Sequence, residues 1–429
     1  MPRERRSRTN NWLFSKLRDL QQQISNPTLL IAVLVIQLLV IVLVFHFCEW
    51  PYVQTPQHTL YLYYNYARQL LAGSVPYRDF PLEYPPLSLF AFVLPNLVKF
   101  GQSLRYESYV WLFVLENVIW SMATTLVLVR VVSFLQPKHR LTQVLLVYVV
   151  LVAIAAPILA DRYDLFPALL TLVSLLCVLE QCSTWAGIWL GLGIVAKLYP
   201  VVLLPIFSVY YLMNREYRSL LGFLLGTIGS AVLTLLPFAL LAQGHLLSFL
   251  SYHKARGLQI ETLPAGMISL GRVLGLTQAK WTFRYGAFEI VSPFDERVLQ
   301  WLPLVFILTT LGVIISCFTH FRYERITYGE ITGESLVIYV LIALLAFIVT
   351  SKVFSPQYII WLLPFAPLLS LRQASVLAAV FAMTIAIYPF WYSALLDFQP
   401  SLVVLLNLRN LLTVVLLLWL LRDRMSVTP

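Results

Sequence analysis

Two carboxylates stand four residues apart in YRDFPLEYPP, residues 77–86, which leads into an apolar run. At the mouth of a membrane span, Asp79 and Glu83 would be partly desolvated and could act as general bases toward a hydroxyl group. In the alternative interpretation both are solvated loop acids beside Arg78. The pattern makes Asp79 and Glu83 the candidate catalytic groups.

A second charged cluster, DRYD, joins two apolar runs and contains Asp161 and Asp164. Either carboxylate could hold a polar substrate, or both could pair with Arg162 at the membrane boundary. Lys197 interrupts a later apolar run just before Pro200. A lysine at membrane depth needs an anion, and a lipid phosphate is one, whereas a lysine that snorkels to the surface carries no such meaning.

Cations gather in the segment SYHKARGLQIET, residues 251–262, and again near residue 352. Such groups bind phosphate through charge-assisted hydrogen bonds, although a solvated charged loop is the alternative. The candidate phosphate ligands are Lys197, His253, Arg256, Lys352 and Gln357. The candidate contacts of a sugar or an acceptor are Tyr63, Tyr64, Asp161, Asp164, Gln259 and Glu261.

Acids in the first loop and cations in later ones suit one reaction class. A hydroxyl nucleophile needs a base, and a departing lipid phosphate needs cations rather than a general acid. Transfer of a sugar from a polyprenyl phosphate to an acceptor hydroxyl uses both groups.

The elements that must hold these residues are membrane helices. The 429 residues are 59% hydrophobic and 12% charged, about half the charge of a soluble protein. Residues 28–47 contain no Lys, Arg, Asp or Glu, and about 20 such residues span a bilayer. Further apolar runs follow at 85–101, 108–134, 141–159, 165–181, 185–212, 219–242, 297–319, 335–352, 357–371, 374–393 and 402–421. We predict an all-α polytopic membrane protein with about 11–13 transmembrane helices.

Charge and parity predict the topology. Residues 1–26 form a basic tail and two arginines follow the last run, so both termini are expected in the cytoplasm. The first run is long and lacks a cleavage site, as a retained signal anchor does. Residues 27–424 are expected to be one integral membrane domain with outer loops at 50–84 and 243–296, and residues 59–73 an interfacial helix in the first loop. Between 85 and 212 the parity closes only with a broken or re-entrant segment, for which KLYP at 197–200 is a candidate.

Other function classes fit poorly. The net charge of +10 is concentrated beside membrane spans, which argues against nucleic-acid binding. The four cysteines lie in or beside apolar runs without metal-ligand spacing, so we expect no disulfide, no metal and no cofactor.

Five motifs in order, YYNYARQLLAGSVPYRDFPLEYPP, DRYDLFPALL, GLGIVAKLYPVVLLP, YHKARGLQIET and KVFSPQYIIWLLP, resemble glycosyltransferase family 87. The resemblance runs from about residue 59 to residue 364. It implies the C-type glycosyltransferase fold, a polyprenyl-phosphate sugar as donor, no nucleotide sugar, and an active site facing away from the cytoplasm. The implied partners are membrane lipid, this donor, and a glycan or glycolipid acceptor.

One departure concerns the catalytic base that the resemblance implies. Members typically carry an Asp shortly before the tyrosines of the first outer loop, and Thr59 takes that position here. Three explanations stand: Asp79 or Glu83 replaces it, the reaction differs, or the protein is a non-catalytic relative.

The sequence therefore predicts a multi-pass cell-membrane enzyme that moves a hexose, expected to be mannose, to an acceptor hydroxyl on the outer face. Two alternatives belong to other classes: a flippase or transporter of a lipid-linked sugar, and a scaffold.

Overall fold

A computed structural model describes residues 27–49, 59–99, 104–135 and 140–425. The predicted basic tail, 1–26, and the beginning of the predicted first outer loop, 50–58, lie outside the described residues. One hydrophobic core joins buried side chains from Ile41 to Leu420.

Within the described residues, eight helices are long and apolar enough to cross a membrane. They are α1 (Pro27–Val44), α4 (Tyr106–Leu135), α5 (Arg140–Leu159), α9 (Tyr217–Leu241), α12 (Asp295–Thr327), α13 (Gly333–Thr350), α15 (Leu371–Ile385) and α17 (Pro400–Met425). Their lipid-facing sides are rich in exposed Leu, Ile and Val, as expected where hydrocarbon is the solvent. The prediction of a helical membrane protein with many spans is confirmed.

Shorter helices complete the bundle. They are α3 (Ser88–Val93, continued by a 3₁₀ turn Leu94–Lys99), α6 (Leu165–Leu179), α7 (Ser183–Ala196), α8 (Leu204–Met213, preceded by a 3₁₀ turn Tyr199–Leu203) and α14 (Ile359–Leu362). The run at 185–212 is broken at the predicted candidate, 197–200, whereas the run at 357–371 is broken where no break was predicted. Lys197 is extended just before Pro200, and Pro364 and Pro367 each lack a backbone donor.

The predicted helix of the first outer loop is present as α2 (Thr59–Leu71). Its buried side chains lie on one face: Leu60, Tyr63, Tyr64, Tyr66 and Ala67. Gly73, at φ 87°, follows the end of the helix, in a conformation that favours glycine. Its position at the membrane interface stays a prediction.

The predicted second outer loop is folded. It contains α10 (Ser248–Ala255), α11 (Leu263–Val273) and an antiparallel hairpin of β1 (Lys280–Arg284) and β2 (Ala287–Val291). The hairpin is an addition to the predicted all-α fold. Tyr285 and Gly286 both have positive φ at its two-residue turn, as a type I′ turn requires. A short helix, α16 (Tyr392–Leu396), lies near it, and Trp281 Nε1 donates to Leu396 O at 2.9 Å.

Contacts between loops show which helix ends lie together at each of the two ends of the bundle. One, the site end, is joined by Tyr64–Leu104, Asp164–Lys197, Gln259–Lys352 and Trp281–Leu396. The other, the opposite end, is joined by Arg130–Glu180, Gln181–Tyr210, Arg140–Glu334, His320–Ser335 and Gln373–Asp423.

These contacts show how the segments between residues 85 and 212 run between the two ends of the bundle. The α3 segment starts and finishes at the site end, because Asn96 Oδ1 accepts from Leu104 N at 3.2 Å. The break at Lys197 divides the predicted run into two crossings. Twelve described segments then alternate between the ends, including Tyr199–Met213 and the broken stretch 356–368, so α1 starts and α17 finishes at the opposite end.

Glycines allow α7, the helix before this break, to pack closely against α9. Gly187 and Gly191 on α7 face Gly222 and Gly226 on α9, each pair four residues apart. A Cβ at Gly187 would collide with the carbonyl of Phe223, and one at Gly226 with the carbonyl of Thr184. Two small-residue stripes thus let the backbones meet, as in membrane helix pairs generally.

Candidate functional site

Asp79 lies in a tight turn on the surface of the first outer loop. Its carboxylate accepts hydrogen bonds from Val75 N at 2.7 Å and from Arg78 Nε at 2.8 Å, and 36% of its side chain is exposed. The hydrogen bonds from Arg78 and from the backbone of Val75 lower the pKa of Asp79 to about 2. Asp79 thus fits the solvated-acid alternative, and its side chain is committed to its own loop.

Glu83, only four residues later, lies in a different environment. Its carboxylate interacts with the Tyr252 hydroxyl, and its backbone interacts with the His253 ring. Burial raises the pKa of Glu83, while Tyr252 and the charges of Arg256 and Lys197 oppose that rise. Glu83 is therefore the predicted acid that meets the predicted cations.

Lys197 finds its anion inside the protein. Its Nζ lies 2.5 Å from Asp164 Oδ1, which also accepts from Trp361 Nε1 at 2.6 Å. The ammonium is also 4.6 Å from the centre of the Tyr163 ring and 6.0 Å from that of Tyr84. The predictions of Lys197 as a phosphate ligand and of Asp164 as a sugar contact conflict with this geometry. Asp164 is fully buried and its charge holds the lysine at the helix break.

Asp161 pairs with the neighbouring arginine, as the alternative reading had it. Arg162 Nη1 lies 3.4 Å from Asp161 Oδ2, and Arg162 Nη2 donates to the Tyr388 hydroxyl at 3.1 Å. Both charged side chains are buried. They lie at the site end, and their burial keeps them off the protein surface.

The predicted sugar contacts Tyr63 and Tyr64 belong to a cluster of aromatic rings that also includes Tyr84, Phe92 and Tyr109. Tyr63 stacks on Phe92 with ring centres 4.2 Å apart and is 1% exposed. Tyr64 donates its hydroxyl to Leu104 O at 2.7 Å. Both rings are buried, and Tyr63 also contacts Tyr84 in the loop that carries Glu83, so their role as sugar contacts stays a prediction.

Gln259 and Glu261 are also placed differently from the prediction. Gln259 Oε1 accepts from Phe354 N at 2.7 Å, and Gln259 Nε2 donates to Glu261 Oε1 at 3.3 Å. Arg409, inside α17, donates to the Glu261 carbonyl at 2.8 Å. Both predicted sugar contacts are buried in a network that fastens the second outer loop to the bundle.

The remaining cations line a cavity of about 560 Å³ between the end of α10 and the helices α12 and α13. Lys352 Nζ donates to the carbonyls of Lys254 and Arg256, at 2.9 and 2.7 Å, so two of its three N–H groups hold the end of α10. Arg256 keeps a buried Nε without a hydrogen-bond partner among the described residues. The wall opposite these cations is apolar: Leu299, Leu302, Pro303, Phe306 and Phe347.

Two predicted phosphate ligands have weaker positions. Burial and the nearby charge of Arg256 lower the pKa of His253 to about 4, so its ring is neutral at pH 7. Gln357 is half-buried in the 3₁₀ turn Pro356–Tyr358. The predicted absence of a metal or cofactor stays a prediction; among the described residues no three His, Cys, Asp or Glu side chains could hold a metal.

Sequence reasoning missed Tyr252 and the apolar wall. Tyr252 stands beside His253 in the charged motif, and its aromatic ring was the available signal. In the sequence the wall residues resemble any lipid-facing stretch. Only the packing of α13 against α12 shows that they line one cavity.

Solved structures similar in shape include two of an oligosaccharyltransferase from Archaeoglobus fulgidus. One is the apo form, with a TM-score of 0.44, and the other is tethered to an acceptor peptide containing the NVT sequon, with a TM-score of 0.46. Each is 13% identical to this chain and covers 93% or 94% of it. This chain spans 56% of the length of either. No curated protein matches.

A family-level sequence match covers the region that contains the site. The model of glycosyltransferase family 87 matches residues 82–347, more than half of the chain. It includes Glu83, Asp164, Lys197 and Arg256, and starts beyond Thr59 and Asp79. With this match added to the helical architecture and the motifs, the chain belongs to glycosyltransferase family 87.

Proposed function

We propose that this membrane glycosyltransferase moves a hexose, mannose in the first instance, from a polyprenyl phosphate to a hydroxyl of a glycan or glycolipid. The observation that carries the proposal is the cavity between α12 and α13, with cations at its rim and an apolar wall, and with Glu83 near one of these cations, Arg256. An amphipathic donor with a phosphate between sugar and lipid needs these three environments in this order.

The lipid chain of the donor would lie along the seam between α12 and α13. A second, smaller crevice shares Phe347 with the cavity and is lined further along α12 by Thr310, Val313 and Ile314. Residues 299, 302, 306, 310 and 313 recur every three or four positions, so they form one stripe along α12. An isoprenoid chain packed there would stay in an apolar environment from the site end into the bilayer.

The phosphate would meet Lys254, Arg256 and Lys352 at the cavity rim. Arg256 is the main ligand, because its guanidinium has an unsatisfied buried donor and two oxygen atoms of a phosphate match its fork. Lys352 contributes charge while its hydrogen bonds fix the backbone of Arg256.

Glu83 would be the general base. Its carboxylate takes the proton of the acceptor hydroxyl as that oxygen forms a bond to the anomeric carbon. The bond between the anomeric carbon and the phosphate oxygen breaks, and its electron pair leaves with the lipid phosphate, whose charge Arg256 stabilises. A single displacement of this kind inverts the anomeric configuration.

Thr59 does not enter this scheme, since Glu83 already supplies a desolvated carboxylate at the site end. The buried pair of Lys197 and Asp164 would act indirectly, because Lys197 contacts the rings of Tyr84, next to Glu83 in the chain, and Tyr163.

The site end would face away from the cytoplasm. Arginines cluster in short loops and helix ends at the opposite end: Arg140, Arg215, Arg218, Arg322, Arg325, Arg372, Arg422 and Arg424. Short loops rich in arginine remain on the cytoplasmic side. Both termini would then be cytoplasmic, in a cell membrane with the active site outside.

The test is transfer by the purified protein in proteoliposomes with radiolabelled polyprenyl-phosphate mannose or glucose and a lipid-extract acceptor. We expect label to move to the acceptor and free polyprenyl phosphate to appear. A donor that crosses the bilayer with unchanged mass would support a flippase instead, and donor binding without turnover or movement would support a scaffold.

A further inference from the structure

The opposite end of the bundle holds a second cavity, of about 410 Å³. It lies where α5, α13 and α15 begin and where α4 and α17 finish. Its charged and polar lining residues are Arg140, Glu334, Ser370, Arg372, Gln373, Asp423 and Arg424. No step of the transfer reaction uses them, because the donor cavity is at the other end of the same helices.

The two acids of this cavity already have partners. Arg140 Nη1 lies 2.6 Å from Glu334 Oε1, and Arg140 Nη2 donates to Leu368 O at 2.6 Å. Asp423 accepts from Gln373 Nε2 at 2.9 Å. Of the three arginines that line the cavity, these contacts pair Arg140 and do not involve Arg372 or Arg424.

Arg372 and Arg424 have no carboxylate within ion-pair distance in the part of the chain that the structure describes. Arg424 Nη1 donates to Ser335 Oγ at 3.1 Å, but its Nε is buried without a hydrogen-bond partner among the described residues. A buried donor of this kind is normally satisfied by an acceptor. The cavity therefore presents two guanidinium groups to an anion.

Helix orientation adds to this preference. Because α13 and α15 both begin here, the positive ends of two helix dipoles point to the cavity. The rest of the wall is apolar, with Leu135, Val337, Leu369 and Trp419. A small inorganic anion would leave this wall facing water, whereas an acyl chain would cover it.

We propose that this cavity binds the phosphate headgroup of an anionic membrane phospholipid in the leaflet opposite the active site. Arg372 and Arg424 hold the phosphate, and the first part of an acyl chain packs against Leu135 and Trp419. Basic pockets between membrane helices bind acidic headgroups in this manner. The proposal does not depend on the transfer reaction.

The experiment uses the full-length protein in nanodiscs of phosphatidylcholine with increasing phosphatidylglycerol. Native mass spectrometry counts retained lipids, and thermal unfolding reports the stabilisation. We expect retained phosphatidylglycerol and a higher melting temperature, with about fivefold weaker retention for each of Arg372→Gln and Arg424→Gln. Arg422→Gln is the matched control, since it removes an exposed arginine on the same turn that does not line the cavity.

A parallel series adds inorganic phosphate or glycerol phosphate to phosphatidylcholine discs. Equal stabilisation by these soluble anions would assign the cavity to a free phosphate and overturn the lipid. Equal retention by the Arg372→Gln, Arg424→Gln and Arg422→Gln variants would overturn the site. If Arg424→Gln unfolds, Arg424→Lys, which keeps the charge, must retain the lipid better than Arg372→Gln combined with Arg424→Lys.

Discussion

Replacement of Glu83 by Gln is the sharpest test of the proposed chemistry. The change keeps the size of the side chain and an oxygen that can accept from the Tyr252 hydroxyl, but removes the proton acceptor. General bases contribute about 10²- to 10⁴-fold, so we expect a fall of that size in the rate of a single turnover, or about 3–5 kcal/mol. Donor affinity should change little, since Arg256 and Lys352 are untouched.

The matched control is Asp79→Asn, the other acid of the same loop. Asp79 is solvent-exposed and its hydrogen bonds stay within residues 75–79. We expect its single-turnover rate to remain within about threefold of the unmodified protein. Both variants are assayed with radiolabelled donor in proteoliposomes, with binding measured separately.

The pH profile separates the two acids independently. A base must be ionised, so the rate falls as pH drops through its pKa. Burial holds the pKa of Glu83 above the ordinary carboxyl value, whereas that of Asp79 is about 2. With Glu83 as base, activity declines at a higher pH than it would with an ordinary carboxylate as base, and Tyr252→Phe moves the decline to still higher pH by removing an interaction that lowers the pKa of Glu83. A rate that stays constant down to pH 4, or normal turnover in Glu83→Gln, would refute this reasoning.

Three further expectations concern the donor site and its support. Arg256→Gln should lower kcat/KM for the lipid donor about 100-fold, by analogy with loss of one oxyanion donor, while Lys280→Gln in the exposed hairpin should not; equal effects in a donor titration would argue against a phosphate at Arg256. Lys197→Met should leave the Asp164 carboxylate buried without its cation and destabilise the protein by about 3–5 kcal/mol, seen as a lower melting temperature in detergent; an unchanged melting temperature would show that the pair is dispensable. Phe306→Trp should narrow the cavity and raise KM for long polyprenyl donors more than for short ones; a uniform change across chain lengths would place the lipid elsewhere.

Local sequence was enough for the spans and their interruption. Stretches of about 20 apolar residues have few alternatives to a membrane helix, because the backbone must satisfy its own hydrogen bonds in lipid. The lysine and proline at 197–200 likewise predicted a helix break that the structure contains. The broken segment 356–368 was missed, since its prolines sit in a run whose hydropathy resembles that of a span.

For the site, the sequence predicted which kinds of residue are present but not which of them face one another. The positions of the charged residues predicted that acids of the first loop and cations of later loops lie near one another. The charges of Glu83 and Arg256 do interact. Which acid faces the cations could not be read from YRDFPLEYPP, since the turn at Tyr77 ties Asp79 to its own loop and leaves Glu83 for α10.

The sequence by itself predicted the membrane environment of this protein, the approximate positions of most of its apolar helices, and the family. The tertiary structure decided which charges are free to act. Lys197 forms an ion pair with Asp164, 33 residues away in the chain, and the Glu261 carboxylate lies 3.8 Å from Arg409, 148 residues away. Charge is a local property of a residue, but whether that charge is neutralised depends on partners that only folding brings near, and this is why the candidate ligands could be proposed from sequence and sorted only in three dimensions.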